Sequence, residues 1–254
     1  MGRFRNAVLF VTLAAVWGSA FTAIKAGLSY FPPVLFAALR YDLAGVLMLG
    51  YAAYATERWR PRDRAEWVLV GIGGVFLIAA YHAFLFVGFV GVVVLSNPDP
   101  GNLADSRTVS LLLIFLAACA FALGSVLTRR IETELPIETM EAWSMLIGAA
   151  VMHGVSVGLA ESAGEIQWSS EAVGALLYLS VVASAVGFLI YFDLLARLGP
   201  IEINLVSYAA PIAAAVTGLV VLGERPTVAT VAGFVCILAG FALLKREAIN
   251  EAFR

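Results

Sequence analysis

The chain has 254 residues, of which 61% are hydrophobic and 13% are charged, whereas a soluble domain is roughly 45–50% apolar and about 25% charged. A mean hydropathy of +0.92 excludes a water-soluble fold and predicts a protein whose main partner is the lipid bilayer. The net charge of −2, with basic residues scattered between the apolar runs, excludes a nucleic-acid partner.

Eight apolar runs account for most of the chain. A helix that crosses a bilayer needs about 20 apolar residues, and runs of that order lie at about 6–28, 32–54, 67–95, 109–128, 140–159, 173–195, 203–222 and 228–244. Strands of a membrane β-barrel would alternate polar and apolar residues, and these runs do not. We therefore predict an all-α polytopic membrane protein, a bundle of about eight transmembrane helices.

The basic residues predict how these spans are oriented. If the N-terminus is cytoplasmic, twelve lysine or arginine residues fall on the cytoplasmic side of the membrane, and only Arg107 and Arg225 fall on the other side. Cytoplasmic loops of membrane proteins carry such an excess of positive charge. We expect a multi-pass protein of the cell membrane with both termini in the cytoplasm.

A duplicated pattern indicates two repeats. Gly18 is followed by Ser and, three residues later, by Thr, and the same pattern follows Gly124, 106 residues further on. A later resemblance, between the segments around Gly91 and Gly240, has an offset of 149 residues. The second half therefore holds about 43 residues without a counterpart in the first, which is close to two membrane passes.

The duplication predicts a truncated first repeat at 1–96 with three spans and a complete second repeat at 109–246 with five. The run 67–95 is too long for one ordinary span, which we interpret as two ancestral helices fused. Losing an even number of passes keeps every later loop on its side of the membrane.

Charged side chains inside spans are costly and tend to be functional. Arg40 lies about seven residues inside the second span, so we expect it to face the bundle interior. It could meet a substrate anion or an internal carboxylate, and the sequence leaves both open. Asp42 points to another face of that helix. Lys25 and Asp193 lie near span ends, where they can reach the interface.

Hydrogen-bonding side chains recur in several other spans, which favours a polar-lined cavity over isolated helix contacts. Pro211, within the seventh span, removes a backbone donor and is expected to kink that helix. The polar and aromatic members of this set are Trp17, Ser19, Thr22, Tyr81, His82, Tyr191, Asn204, Ser207 and Tyr208.

The sequence resembles a known family in three places. The segment Ala-Val-Trp-Gly-Ser-Ala-Phe at 15–21, Phe-Ala-Ala-Leu-Arg-Tyr at 36–41, and the run from Pro211 through Gly-Glu-Arg-Pro at 223–226 to Gly240 are similar to the EamA family of the drug/metabolite transporter superfamily. Members have ten helices in two inverted five-helix repeats and move small metabolites or drugs. The resemblance implies that the substrate pathway is lined by Trp17, Ser19, Arg40, Tyr81, Tyr191, Ser207 and Pro211, and that Glu224 is structural.

The leading functional hypothesis is a secondary transporter, an exporter or permease, of small organic metabolites or drugs. The alternative is a non-transporting family member, either a degenerate copy or a chain that needs a partner, since the missing passes include a helix that lines the family's pathway. We expect no enzyme, catalytic residue, metal or cofactor, because zinc-protease and serine-hydrolase motifs do not occur. Gly233 and Gly240 share a face of the last helix, where they mark either a homodimer contact or packing within one bundle.

Overall fold

The computed structural model describes residues 2–95, 103–203, 205–223 and 235, and every regular element among them is helical. The chain divides into two compact units, one formed by residues 1–22 with 193–254 and the other by 23–192. The predicted eighth span at 228–244, together with Gly233, Gly240 and Glu224, lies outside the described residues except for residue 235.

The helices follow one another with short connections. In chain order they are α1 (Gly2–Gly27), α2 (Pro33–Ala55), α3 (Arg64–Ile72), a π-helical segment (Gly73–Ala80), α4 (Tyr81–Leu95), α5 (Leu103–Thr128), α6 (Ile137–Gly158), a short 3₁₀ turn (Ala163–Glu165), α7 (Ser170–Leu177), a second π-helical segment (Tyr178–Val186), α8 (Gly187–Leu198), α9 (Pro200–Ile203) and α10 (Val206–Leu222).

Five helical stretches of the described chain are long and apolar enough to cross a membrane, and they coincide with the first, second, third, fifth and sixth predicted spans. The shorter apolar helices 112–128 and 206–222 coincide with the fourth and seventh. The prediction of an all-α polytopic membrane protein is confirmed. The count of eight spans stays a prediction.

The same kinds of helix start recur in the same order in both halves. Both α2 and α6 begin directly after a proline, Pro32 or Pro136, with nearly identical backbone angles (φ −58°, ψ 139° and φ −54°, ψ 138°). Proline fixes φ and suits the start of a helix. Next, Asp63 caps α3 and Ser169 caps α7, each by accepting a backbone N–H three residues on. These two caps are 106 residues apart, the offset that the sequence pattern shows.

Each half also contains one long helix with a wide π-helical segment at its centre. The helical stretches are 64–95 and 170–198, and the π segments begin about nine residues after each start. Since the second-half helix is nearly as long, length alone does not require a fusion in the first half. The fusion, and the division into repeats 1–96 and 109–246, stay predictions.

An antiparallel pair of helices, α2 and α6, organises the unit 23–192. Near one end, Glu161 accepts hydrogen bonds from the backbone N–H groups of Val34 and Leu35 (3.1 and 2.8 Å), which supplies the capping acceptor that Pro32 lacks. At the other end, the hydroxyls of Thr56 and Thr139 are 3.4 Å apart. Twenty-two residues along α2 are thus matched by twenty-two residues back along α6.

Glu66 ties together the loops at one end of this pair. Its carboxylate is buried and forms an ion pair with Arg58. It also accepts hydrogen bonds from the Arg62 backbone N–H (2.8 Å) and from the Thr133 hydroxyl (3.3 Å). One side chain therefore holds both the α2–α3 connection and the α5–α6 connection.

Two glycines allow the first π segment to pack closely against α6. A Cβ atom on Gly148 would lie 2.5 Å from Ile78 Cγ2 and 2.9 Å from the Gly74 carbonyl oxygen. A Cβ on Gly74 would lie 2.8 Å from Ile147 Cβ. Small residues permit this backbone approach in lipid, where packing replaces the hydrophobic drive between helices.

In the other unit, α1 and α10 are in equally close contact. A Cβ atom on Gly18 would lie 2.4 Å from the Ala210 carbonyl oxygen, and the hydroxyl oxygens of Thr22 and Thr217 are 3.0 Å apart. The helix α10 ends at Gly223, whose φ of +67° is the left-handed conformation that favours glycine. The duplicated glycine at position 18 therefore serves helix packing.

We expect Gly148→Ala to destabilise the protein, because the added methyl group would collide with the Gly74 carbonyl and with Ile78. Overpacking of this kind costs about 1–3 kcal/mol. The matched control is Gly154→Ala on the same helix, where a Cβ would meet nothing within 4 Å. Thermal unfolding of the detergent-purified proteins measures the effect, and equal midpoints for the two variants would contradict the close crossing.

Candidate functional site

Arg40 is the centre of the candidate site in the unit 23–192. It projects from α2 and is only 6% exposed. Its Nε donates a hydrogen bond to the Ser184 hydroxyl (3.0 Å) in the second π segment. The guanidinium carbon lies 5.0 Å from the centre of the Tyr41 ring, within the range of a cation–π contact. These contacts orient the guanidinium without neutralising its charge.

The two terminal nitrogens of Arg40 make no hydrogen bond or ion pair with any residue that the structure describes. Among the described residues, the fully buried side-chain nitrogen and oxygen atoms that lack a hydrogen-bond partner are Asn6 Oδ1 and Arg58 Nε. The terminal nitrogens of Arg40 also lack a partner but are not among these buried atoms, so they retain accessible surface. The sequence leaves open a substrate anion or an internal carboxylate as the partner of Arg40, and no carboxylate among the described residues forms an ion pair with it.

Asp42, two residues further along α2, is engaged elsewhere. Its carboxylate accepts a hydrogen bond from His153 Nε2 on α6 (2.7 Å), and both side chains are about 40% exposed. Successive positions two apart point to different sides of a helix, so the predicted separation of Arg40 from Asp42 is confirmed. His153 is a partner that the sequence analysis did not identify.

A buried tyrosine–histidine pair adjoins Arg40. The Tyr41 hydroxyl lies 2.6 Å from His82 Nε2, and His82 Nδ1 lies 2.9 Å from the Ile78 carbonyl oxygen. A carbonyl oxygen can only accept, so Nδ1 carries the proton and the neutral ring accepts at Nε2 from the Tyr41 hydroxyl. Both side chains are at most 9% exposed, so this pair is a fixed part of the surroundings of Arg40.

Tyr81 adds a further aromatic ring to the cluster formed by Arg40, Tyr41 and His82. Its ring centre lies 4.5 Å from that of His82 and 5.4 Å from that of Phe121 on α5. Arg40 contacts the ring of Tyr41, Tyr41 is hydrogen-bonded to His82, and the ring of His82 contacts that of Tyr81. The structure thus brings two of the predicted pathway residues, Arg40 and Tyr81, into one polar and aromatic cluster.

Tyr191, a third predicted pathway residue, lies on α8 in the same unit. Its ring packs edge-on against Phe192 (5.6 Å between centres). Glu141, a partly buried residue of α6, is a carboxylate that the sequence analysis did not single out. The available signal was an acidic residue in the second position of the predicted span 140–159.

The remaining predicted residues lie in the other unit, on α1 and α10. Ser19 donates its hydroxyl to the Ala15 carbonyl oxygen of its own helix (2.7 Å), and Trp17 is partly buried on the same helix. Pro211 lies inside α10 and lacks the N–H that would bond to the carbonyl of Ser207. Ser207 is exposed, so its hydroxyl lies at the surface of α10.

The chain matches the model of the EamA-like transporter family over residues 5–94 and 108–246. It belongs to that family. The resemblance predicted from the sequence is confirmed, and the protein is a multi-pass membrane transporter of small metabolites in the cell membrane.

Several similar proteins span nearly the whole chain. It is 23% identical to the uncharacterized transporter YvbV of Bacillus subtilis, with 96% of this chain and 92% of that protein aligned. It is 27% identical to a protein of Salmonella typhimurium named "Probable amino-acid metabolite efflux pump", with 93% of each aligned. A protein of Escherichia coli with the same name is 26% identical, with 97% of this chain and 98% of that protein aligned.

A solved structure, described only as the crystal structure of a protein, has the same fold. The TM-score is 0.59 at 20% sequence identity, and the superposition covers 96% of this chain and 98% of the other.

We expect Tyr41→Phe to lower the thermal stability, because it leaves the buried His82 Nε2 without its donor. An unsatisfied buried polar group costs about 1–3 kcal/mol. Tyr51→Phe is the matched control, since Tyr51 lies on the same helix but is 40% exposed. Thermal unfolding in detergent distinguishes the two, and a Tyr41→Phe protein as stable as Tyr51→Phe would contradict the buried hydrogen bond.

Proposed function

We propose that this transporter exports small organic solutes that carry a carboxylate group, and that Arg40 binds this carboxylate in the substrate pathway. The observation that carries the proposal is the pair of terminal Arg40 nitrogens, which are accessible and have no partner among the described residues. Planar guanidinium groups bind carboxylates through two parallel hydrogen bonds.

The local contacts of Arg40 support a binding role over a purely structural one. A buried charge is costly unless it is paired, and a structural arginine would be expected to use its whole fork within the protein. Here only Nε is used, by Ser184, and the aromatic ring of Tyr41 supports the guanidinium. The arrangement holds the outer edge of the fork ready for a planar anion.

The names of the relatives agree with this substrate class. Two of them are named for the efflux of amino-acid metabolites, and an amino acid carries the carboxylate that Arg40 would bind. We infer that amino acids or their derivatives are the substrates, and that transport runs outward from the cytoplasm with both termini on the cytoplasmic side.

The other pathway residues are also part of this proposal. Tyr81 and Tyr191 would line the pathway in the unit of Arg40. For Trp17, Ser19, Ser207 and Pro211, which belong to the other unit, a pathway role is proposed from the family resemblance alone. The exposed hydroxyl of Ser207 supplies a polar group on a mostly apolar helix.

The lengths of the alignments support a shortened first repeat in a working transporter. The alignment with YvbV extends over 286 positions although the chain has 254 residues, so some positions of the relative have no counterpart here. The alignments with the two efflux pumps are of similar length, at 282 and 294 positions. We propose a truncated first repeat at 1–96 and a complete second repeat at 109–246, with the missing positions falling within the first.

Flux measurements on Arg40→Gln test the proposal. We expect proteoliposomes with the wild-type protein to transport at least one amino acid, tested individually with radiolabel, and Arg40→Gln to lose at least about tenfold of that flux because the charge-assisted pair is lost. Arg130→Gln, which changes an exposed arginine, is the control and is expected to retain wild-type flux.

The outcomes separate the parts of the proposal. If the wild type transports no amino acid above empty liposomes, the substrate class is wrong and the alternative of a non-transporting family member gains support. If Arg40→Gln transports as well as the wild type, Arg40 is not the carboxylate-binding group. Transport of the amino acid but not of its amide would support recognition through the carboxylate.

A further inference from the structure

The side chain that holds Arg40 in place is an uncharged one. Among the described residues, Ser184 alone forms a hydrogen bond with Arg40, and its hydroxyl oxygen accepts the N–H of Arg40 Nε (3.0 Å). Ser184 is fully buried in the π segment Tyr178–Val186, which packs on α2. A neutral hydroxyl accepts a hydrogen bond but cannot cancel the charge of its donor. Arg40 therefore keeps its whole positive charge.

Two other arginines of the described chain show what a carboxylate in this position does. Arg197 donates from both Nε and Nη2 to Asp193 Oδ1 (2.8 and 2.6 Å), and Arg58 forms an ion pair with Glu66. Each of these positive charges is balanced by a carboxylate of the protein. At Arg40 the contact to Nε is made by a hydroxyl instead, so the charge is left for an anion that binds from outside the chain.

The bond to Ser184 also determines which edge of the Arg40 guanidinium is free. A guanidinium carries one N–H on Nε and two on each terminal nitrogen, all in one plane. A carboxylate can bind across Nε and one terminal nitrogen, or across the two terminal nitrogens. Since Ser184 uses the single N–H of Nε, the edge formed by the two terminal nitrogens is the one that a solute can reach.

We propose that Ser184 is the positioning residue that makes this site selective for an anion, an inference that rests on the proposed role of Arg40. Ser184 holds the guanidinium through Nε and leaves the charge and the outer edge of the fork to the solute. A carboxylate at position 184 would pair with Arg40 and cancel the charge that attracts the solute. An uncharged acceptor of similar size would not.

Ser180 provides a matched comparison within the same π segment. It is also fully buried, and its hydroxyl donates to the Leu176 carbonyl oxygen of its own helical stretch (2.7 Å). It lies four residues before Ser184, at a neighbouring position of the helix surface. An effect that Ser184 exerts through Arg40 can therefore be separated from the effect of losing a buried hydroxyl in this segment.

Ser184→Asp and Ser184→Asn separate charge from size, because the two new side chains have almost the same shape and differ by one charge. The probe is the radiolabelled amino acid that the wild type transports in proteoliposomes. We expect Ser184→Asp to lose at least about tenfold of this flux, because the charge of Arg40 is then paired. We expect Ser184→Asn, whose amide oxygen can accept from Nε, to stay within about threefold of the wild type.

The comparison of the two variants decides the proposal. Similar fluxes in folded Ser184→Asp and Ser184→Asn would overturn it, because the charge at position 184 would then make no difference to transport. A wild type that transports no amino acid would instead contradict the proposed substrate class, so the two failures are distinguishable.

Ser184→Ala covers the case in which the larger side chains do not fit the buried position. It removes the hydroxyl that holds Arg40 without adding volume. We expect its KM for the amino acid to rise at least about fivefold while the maximal rate stays within about twofold, because the guanidinium is no longer held in the orientation that binds the solute.

Ser180→Ala is the control for this measurement and is expected to keep the wild-type KM and maximal rate. An unchanged KM in Ser184→Ala would contradict the positioning role. An equal rise of KM in Ser180→Ala would contradict it as well, because the effect would then come from the loss of any buried hydroxyl in the π segment.

Discussion

The antiparallel contact between α2 and α6 is the constraint on which the unit 23–192 depends. Lipid is as apolar as a leucine side chain, so two membrane helices associate through close packing and hydrogen bonds. Here both means are used: Glu161 caps α2 at one end and a pair of threonine hydroxyls meets at the other, and Met48, Met145 and Met152 of the two helices are fully buried. The register of one helix on the other is thereby determined over their whole length.

The two π segments are positioned by this pair. The segment Gly73–Ala80 packs on α6 through facing glycines, and Tyr178–Val186 packs on α2, where it supplies Ser184 to Arg40. Each segment thus lies on the second helix of the other half of the chain. π-Helical turns are frequent at functional sites because they leave the regular pattern of backbone hydrogen bonds, and here they adjoin Arg40 and the Tyr41–His82 pair.

Charged side chains of the same helix have different surroundings in this arrangement. Arg40 and Asp42 are two residues apart, yet Arg40 is enclosed among aromatic rings and Asp42 is half exposed and bonded to His153. A membrane interior makes an unpaired charge costly, so the described carboxylates near arginine or histidine are paired. Arg40 has no ion-pair partner among the described residues.

Sequence alone determined the fold class, the family and the periodic features. Composition and run length specify membrane helices because lipid requires every backbone group to be bonded within the segment. The 106-residue offset of the sequence pattern also separates the matching caps Asp63 and Ser169. The sequence could also place Arg40 inside, since its depth along one helix follows from counting residues. What only the tertiary structure decided is the set of partners: Ser184 for Arg40, His153 for Asp42, His82 for Tyr41, and none for Glu141 among the described residues. The two residues of each pair are separated in the sequence by between 41 and 144 positions. Their contact depends on the register and rotation of packed helices, which the sequence pattern of a single helix does not contain.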